Sequence, residues 1–364
     1  MNICLCSEND HIKNYSFERS DRMIYLSEYN VEAYRGVSGL ELHELGDVNI
    51  ITGGNNSGKS SVLESLMLLK NTDDISNVLA VSDIRNSNYM LENRITKFNS
   101  FIYLFNAAEP EKRIAVNGIL KNKPVSFELK GGFRRVNVPY RPNMDEMTEF
   151  RGNITSRYGD EKNNSPVRLN ELINIRNTIK KPENISIRYI SPSQHISGRV
   201  FDKTVNEPYY KEAVIKALGV FDKNIVDIIY RKDENNSHLT EYVHNRISGL
   251  MPVSCMGDGV KKLLSAANGI VSSKQGILLI DDIDTSLQSE YFDDIFCFVV
   301  RLCMKFKIQL FASVRSKEAL KSFLNSQAYD KNADSDDPIR VIRLEKKDGK
   351  TTADVIKGSI AYSM

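Results

Sequence analysis

One eight-residue run limits this chain more than any other feature. Gly53-Gly54-Asn55-Asn56-Ser57-Gly58-Lys59-Ser60 stands between an apolar stretch, "VNIIT", and a segment from Lys59 to Lys70 that lacks Gly and Pro. The pattern is G-x-x-x-x-G-K-[ST]. Small residues let consecutive backbone N–H groups turn inward around a phosphate, and the helix that follows favours negative charge at its N-terminus. Lys59 is then expected to reach the β and γ phosphates of ATP and Ser60 to hold Mg²⁺ by its hydroxyl, with Ser61 completing the nucleotide-binding set. The alternative is a plain glycine turn between strand and helix. Chance alone gives the eight-residue pattern in roughly one chain of this length per hundred, before the flanking strand and helix are required.

Two later stretches carry matching chemistry. "GILLIDDID", Gly276 to Asp284, is a fully apolar strand ending in carboxylates, which places Asp281 at the strand's carboxyl end, where open parallel sheets put their ligands. Asp281 is positioned to order Mg²⁺ through water and Asp282 to polarise an attacking water. Asp284 fits the simpler role of a helix cap. Upstream, Val253-Ser254-Cys255-Met256-Gly257-Asp258-Gly259 opens another helix with a second set of small residues. One phosphate needs only one cradle, so a second suggests a nucleotide clamped between two copies of the chain.

The rest of the sequence frames these motifs. Residues 1–22 read as a polar tail, 23–110 as an N-terminal lobe, 111–250 as a β hairpin, polar insertion and helical arm, and 251–364 as a C-terminal lobe ending in a hairpin turned at Asp348-Gly349. Gly131 to Lys181, rich in Asn, Arg and Pro, reads as a partly mobile insertion. Pro208 to Asp233 reads as two helices or one helix broken at Gly219. With 49 Lys+Arg against 47 Asp+Glu the net charge is +2, so no global bias marks a nucleic-acid or membrane-surface binder. Cys4, Cys6, Cys255, Cys297 and Cys303 are scattered, as in reduced intracellular proteins. The apolar run from Ile295 to Phe306 is too short to span a bilayer and contains Arg301, so a soluble, cytoplasmic protein without membrane partners is expected.

In order along the chain, "AYRGVSGLELHELGDVNIITGGNNSGKSSVLESL", "VSCMGDGVKKLL", "GILLIDDIDTSL", "IQLFASVRSKEAL" and "IRVIRLEKKDG" resemble the ABC-type P-loop ATPases of the SMC and OLD group. Within that group they are similar to bacterial AAA-family ATP-binding proteins often found beside toxin or phage-defence genes. The resemblance implies an α/β P-loop NTPase fold of the ABC/SMC-head type, with a mixed central sheet flanked by helices, an N-terminal β subdomain and an inserted arm. It also implies ATP-driven dimerisation. It puts the Walker A role on Gly53 to Ser60, the signature role on Ser254, Gly257 and Gly259, and the Walker B role on Asp281. Gln194 would be a Q-loop ligand of Mg²⁺, and Arg35 a basic residue near the nucleotide.

Three positions depart from the family pattern. Asp282 replaces the usual catalytic Glu, Arg315 stands at the switch histidine, and Gln288 follows the D-loop where a His is common. A shorter base and a permanently cationic switch predict slow hydrolysis, with Lys59, Asp282 and Arg315 on the catalytic side. The expectation is therefore an ATP-linked dimer, or larger assembly, serving as sensor or scaffold for a separate effector encoded nearby. A DNA-associated motor using Arg134, Arg135, Arg141, Arg151, Arg157, Lys180 and Lys181 is one alternative, and a non-hydrolysing module another. The final strands are expected to complete the head, which leaves no room for a Toprim nuclease.

Overall fold

The structure is a computed structural model. It describes residues 24–86, 94–107, 109, 111–137, 146–171, 183–197, 208–232, 239–273, 275–326 and 337–363. The expected N-terminal tail, Cys4, Cys6, Arg141, Lys180 and Lys181 lie outside the described residues.

Alternating apolar and polar residues give β1 (Leu26–Tyr34) and β2 (Val37–Leu42), an antiparallel hairpin, and then β3 (Val48–Gly53), which enters the glycine loop. α1 (Lys59–Leu66) leaves that loop and tightens into a 3₁₀ turn over Met67–Lys70. α2 (Ile75–Asp83) is capped by the Asp74 carboxylate and α3 (Lys97–Ile102) by the Thr96 hydroxyl. Four long strands follow: β4 (Lys112–Leu120), β5 (Lys123–Asn137), β6 (Glu146–Tyr158) and β7 (Glu161–Asn170). They join the first hairpin in an antiparallel sheet of order β2-β1-β4-β5-β6-β7.

That sheet corrects the reading of the polar insertion. Residues 131–137 and 146–170 are mostly strand, because Phe133, Phe150, Ile154, Val167 and Leu169 stand at even spacings within their strands and pack into one core. Phe133 and Phe150 close on Phe98, Phe101 and Phe105, with ring centroids 5.1 to 6.3 Å apart between the two groups. Only one face of an antiparallel sheet needs to be apolar, so the composition stays polar while the strands are ordered.

The chain then forms β8 (Ile187–Ile190), α4 (Gln194–Ser197) and α5 (Pro208–Leu218). The expected second helix after Gly219 is instead β9 (Ile225–Lys232), which pairs with β10 (Leu239–Asn245) and, through it, β11 (Gly249–Pro252). The β-branched run "NIVDII" fits a strand as well as it fits a helical stripe, and cross-strand pairing decides the matter. α6 (Asp258–Ser272), β12 (Ile277–Ile280), α7 (Phe292–Lys305), β13 (Gln309–Ser313) and α8 (Lys317–Asn325) are the expected alternation. The hairpin β14 (Ile339–Lys347) and β15 (Lys350–Lys357), then α9 (Gly358–Ser363), complete the described chain.

The central sheet has order β15-β14-β3-β13-β12-β8, with every neighbour parallel except the β14–β15 pair. Alternate residues of its strands face two different cores. Ile50, Leu278, Leu310 and Val341 pack with α5 to α8, whereas Ile51, Leu279, Phe311 and Ile342 pack with α1 and the antiparallel sheet. A sheet covered on both faces needs uninterrupted apolar strands, which is why "ILLI" has no polar alternation. The sheets do not follow the divisions 23–110, 111–250 and 251–364. β3 lies between two strands from the last of these segments, and β1 and β2 belong with β4 to β7.

Candidate functional site

The glycine loop is fixed by conformation and by a close neighbour. Gly53 has φ 148°, and a Cβ there would lie 2.5 Å from the Leu344 carbonyl oxygen of β14. Gly58 (φ 101°) and Asn56 (φ 65°) are also left-handed. The Lys59 ammonium folds back across the loop, donating to the carbonyls of Gly53 at 2.9 Å and Gly54 at 3.3 Å. The Ser57 hydroxyl is buried with no hydrogen-bond partner among the described residues. An orphaned hydroxyl costs about 1–3 kcal/mol, so a glycine loop that carries one fits a phosphate oxygen as its missing partner.

The register of the parallel sheet brings up the carboxylates. Ile280 of β12 lies beside Ala312 of β13, so the next residues, Asp281 and Ser313, end level. Asp281 is 2% exposed, and its carboxylate accepts from the Ser313 hydroxyl at 2.6 Å and the Tyr189 hydroxyl at 2.9 Å. Burial and the neighbouring Asp281 raise the Tyr189 hydroxyl well above the usual tyrosine range, so it stays a donor. The Asp282 N–H donates to Ser313 Oγ at 2.7 Å. Asp282 itself sits at φ 46°, and its carboxylate meets the Arg315 guanidinium at 2.5 Å. Hydrogen bonding to Asp282 keeps Arg315 firmly cationic. Asp284 does not cap the segment that follows β12. Its oxygens accept from the backbone N–H groups of Arg315, at 3.0 and 3.2 Å, and of Ser316, at 2.9 Å, and so fix the turn that presents Arg315.

These groups share one cleft of about 500 Å³. Its lining includes Asn55 to Ser61 without a break, together with Asp281, Asp282 and Arg315. Ser60 and Asp281 offer hydroxyl and carboxylate oxygens, donors suited to a hard divalent cation. An adjoining cleft of about 350 Å³ is lined by Arg35, Tyr103 and Lys346 and shares Asn56, Gly58, Ser61 and Arg85 with the first. Arg35 reaches the adjoining cleft, not the main one. Its guanidinium is committed to Glu64 at 3.0 Å and to the Tyr103 carbonyl at 3.1 Å.

Other expected residues stand apart. Gln194 does not line the cleft, and its Oε1 accepts from the Ser191 N–H at 3.4 Å within its own turn. Ser254, Gly257 and Gly259 are also outside the cleft. They lie on the 3₁₀ turn Val253–Cys255 and the start of α6, where Ser254 and Gly257 face solvent and the helix has no side-chain cap.

Sequence reasoning missed several partners. Arg85, in the turn after α2, lines both clefts and donates to Glu64 at 2.6 Å and to the Ser61 hydroxyl at 3.0 Å. Lys262 is buried at 2% exposure, and its Nζ donates to the carbonyls of Asp282 and Pro192, each at 3.1 Å. Burial pulls its ammonium down to about 8, against the opposing pull of Asp282, Asp281 and Asp284. Nothing local distinguishes Lys262 from its neighbour Lys261, and only the three-dimensional path of α6 separates the two. Among the described residues no helix is long and apolar enough to cross a membrane.

The chain is similar to a protein of Helicobacter pylori (strain ATCC 700392 / 26695) named ATP/GTP phosphatase, at 26% identity over 275 residues, covering 66% of this chain and 70% of the relative. Its structure is similar to an SMC head bound to the C-terminal winged-helix domain of ScpA, with a TM-score of 0.52 over 93% of this chain and 99% of that one. At 13% identity this likeness is one of fold, the SMC-head type of ABC P-loop ATPase. The family model described as "AAA domain, putative AbiEii toxin, Type IV TA system" matches residues 48–313, from the first residue of β3 to the last of β13, and the chain belongs to that family.

Proposed function

We propose that the chain binds ATP with Mg²⁺ and hydrolyses it slowly. Each nucleotide is held between the glycine loop of one copy and Ser254, Gly257 and Gly259 of another. The ATP-joined dimer, or a larger assembly built on it, is a sensor or scaffold for a separate effector in a bacterial defence system. The observation that carries this reading is the meeting of Lys59 and Ser60 with Asp281, Asp282 and Arg315 around one cleft. The uncapped, exposed start of α6 supports the shared site, since its free N–H groups lie outside that cleft and suit a phosphate from elsewhere. The relative's name supports nucleotide hydrolysis, and the family description supports a link to a toxin–antitoxin system.

In this reading Lys59 exchanges the Gly53 and Gly54 carbonyls for phosphate oxygens, and Ser57 gains its partner. Ser60 and Asp281 would hold Mg²⁺, which would supply charge neutralisation at the phosphates. Tyr189 and Ser313 keep the Asp281 oxygens aimed. Asp282 orients the water and takes its proton, and Arg315 stabilises charge on the transferring phosphoryl group. Because Asp282 is one methylene shorter than Glu and is paired with Arg315, base and switch compete, and turnover is slow while binding is intact.

A second reading has one observation of its own. Arg134, Arg151 and Arg168 converge on the single buried carboxylate of Glu149, which leaves excess positive charge on the outer face of β5 to β7 and favours a nucleic-acid contact. Light scattering and phosphate release on the purified protein test the main reading. Saturating Mg-ATP is expected to shift monomer to dimer, and Lys59→Ala to abolish both the shift and the release. A parent protein that stays monomeric at saturating Mg-ATP refutes the shared site. Duplex binding with a steep negative salt dependence would bring the second reading forward.

A further inference from the structure

Asp282 occupies a backbone conformation that needs outside support. A left-handed aspartate is uncommon, and strain of this kind, of order 1–3 kcal/mol, persists only where the surroundings over-determine it. The supports are visible. Ser313 Oγ accepts its N–H at 2.7 Å, Arg315 holds its carboxylate, and the Thr285 N–H donates to its carbonyl at 3.1 Å. The Thr285 hydroxyl donates to that carbonyl as well, and a fifth support comes from another element. Lys262 reaches from α6 and shares its buried ammonium between the Asp282 carbonyl, after β12, and the Pro192 carbonyl, after β8. Lys262 lies one turn beyond Asp258, at the end of α6 that begins with exposed Gly257. One ammonium thus ties the start of that helix to the backbone of the proposed base and to the turn that carries Gln194.

We propose that Lys262 is a positioning residue. It sets the orientation of Asp282 through the backbone and makes that orientation depend on where the start of α6 sits. The inference rests on the shared-site reading. When a phosphate from the partner copy engages Gly257 to Gly259, the displacement of α6 is passed by a short rigid link to Asp282. Hydrolysis is thereby tied to dimer closure. Lys262 is not among the residues that line the cleft, and its ammonium is engaged by two backbone carbonyls, so its loss affects turnover more than affinity.

The test is hydrogen–deuterium exchange with and without Mg-ATP, alongside steady-state kinetics, for the parent, Lys262→Met and Lys262→Gln. In the parent, Mg-ATP is expected to slow exchange in residues 53–61 and in residues 281–286. Lys262→Met should keep the protection at 53–61 and lose it at 281–286. Its kcat should fall by about 10- to 100-fold with KM within about threefold, part of the range a well-placed base contributes. Equal protection at 281–286 in parent and variant, with kcat within about twofold, overturns the proposal. Should Lys262→Met fail to fold, Lys262→Gln, which keeps one donor, is read by the same two criteria. If Mg-ATP protects 53–61 in no protein, nucleotide binding itself has failed as a reading. The link is then decided without nucleotide, by faster exchange at 281–286 and 191–197 in the variant, which supports it, or unchanged exchange, which overturns it.

Discussion

Glu64 lies on the inward face of α1 and is the anchor with which that helix holds two arginines. Its side chain is 1% exposed and faces Arg35 Nε at 3.0 Å, Arg85 Nε at 2.6 Å and the Tyr34 hydroxyl at 3.3 Å. Glu64→Gln preserves shape and removes the charge. Deleting one member of a fully buried pair costs about 3–5 kcal/mol, mostly because the surviving charge is left in low dielectric. Here the two survivors differ. Arg35 is 12% exposed and is stranded, whereas Arg85 is 48% exposed and can be rehydrated, so its share is discounted for solvent screening. The expected loss is about 2–4 kcal/mol. Denaturant titration near pH 7, following tyrosine fluorescence and far-ultraviolet dichroism together, measures it as a shift in midpoint at unchanged slope. A loss below about 1 kcal/mol would refute the reasoning, because it would mean that Arg35 reaches water and that α1 does not depend on this network. The same variant should loosen Arg85 from the Ser61 hydroxyl, next to Ser60.

Two further outcomes are expected. Arg315→Ala should lower kcat by about 100-fold, the scale of one lost charge-stabilising donor, with little change in nucleotide affinity; hydrolysis at the parent rate would show that Arg315 serves only as the partner of Asp282. His195 is buried at 3% exposure, and burial, with Lys262 nearby, lowers its pKa below the usual 6.5. In the window below 6.5 the unfolded chain then binds more protons than the folded one, so stability is present above that pH and is lost as pH falls through the folded value. His195→Gln should flatten that acid-side loss in a pH series of unfolding midpoints, and an unchanged slope would rule the assignment out.

How much of this was legible in the sequence depends on what each element's physics required. The loop from Gly53 to Ser60 and the strand ending at Asp281 are local: their chemistry is set by neighbours within eight residues, so the pattern alone locates them. The end of β5 and the strands β6 and β7 misled because their alternation is diluted by charged residues on the solvent face, and the five phenylalanines that hold them come from three separate stretches. The strand β9 misled because "NIVDIIY" satisfies a helical and an extended period alike, and its partner β10 lies beyond residue 238. Ser313, Tyr189 and Lys262 act through register and crossing, and no short stretch reveals that Ser313 ends level with Asp281. Gln194 was placed by position after a strand, yet it turns back on Ser191. Arg35 was expected near the nucleotide, and it does line the adjoining cleft, but Glu64 and the Tyr103 carbonyl already engage its guanidinium.

The position of β3 sets an order of events during synthesis. Its neighbours are β13 and β14, with Ile51 beside Ser313 on one side and Ile342 on the other. Gly53, at the mouth of the loop, pairs with Leu344. A ribosome that has made residues 48–60 therefore has no strand to pair with them until β13 (Gln309–Ser313), and no second neighbour until β14 (Ile339–Lys347). Contacts so distant in sequence form late, and the apolar "VNII" waits exposed meanwhile. The glycine loop is made well before the strands that seat it, and takes shape only with them. A chain stopped short of β14 should be held by chaperones, with no competence to bind ATP.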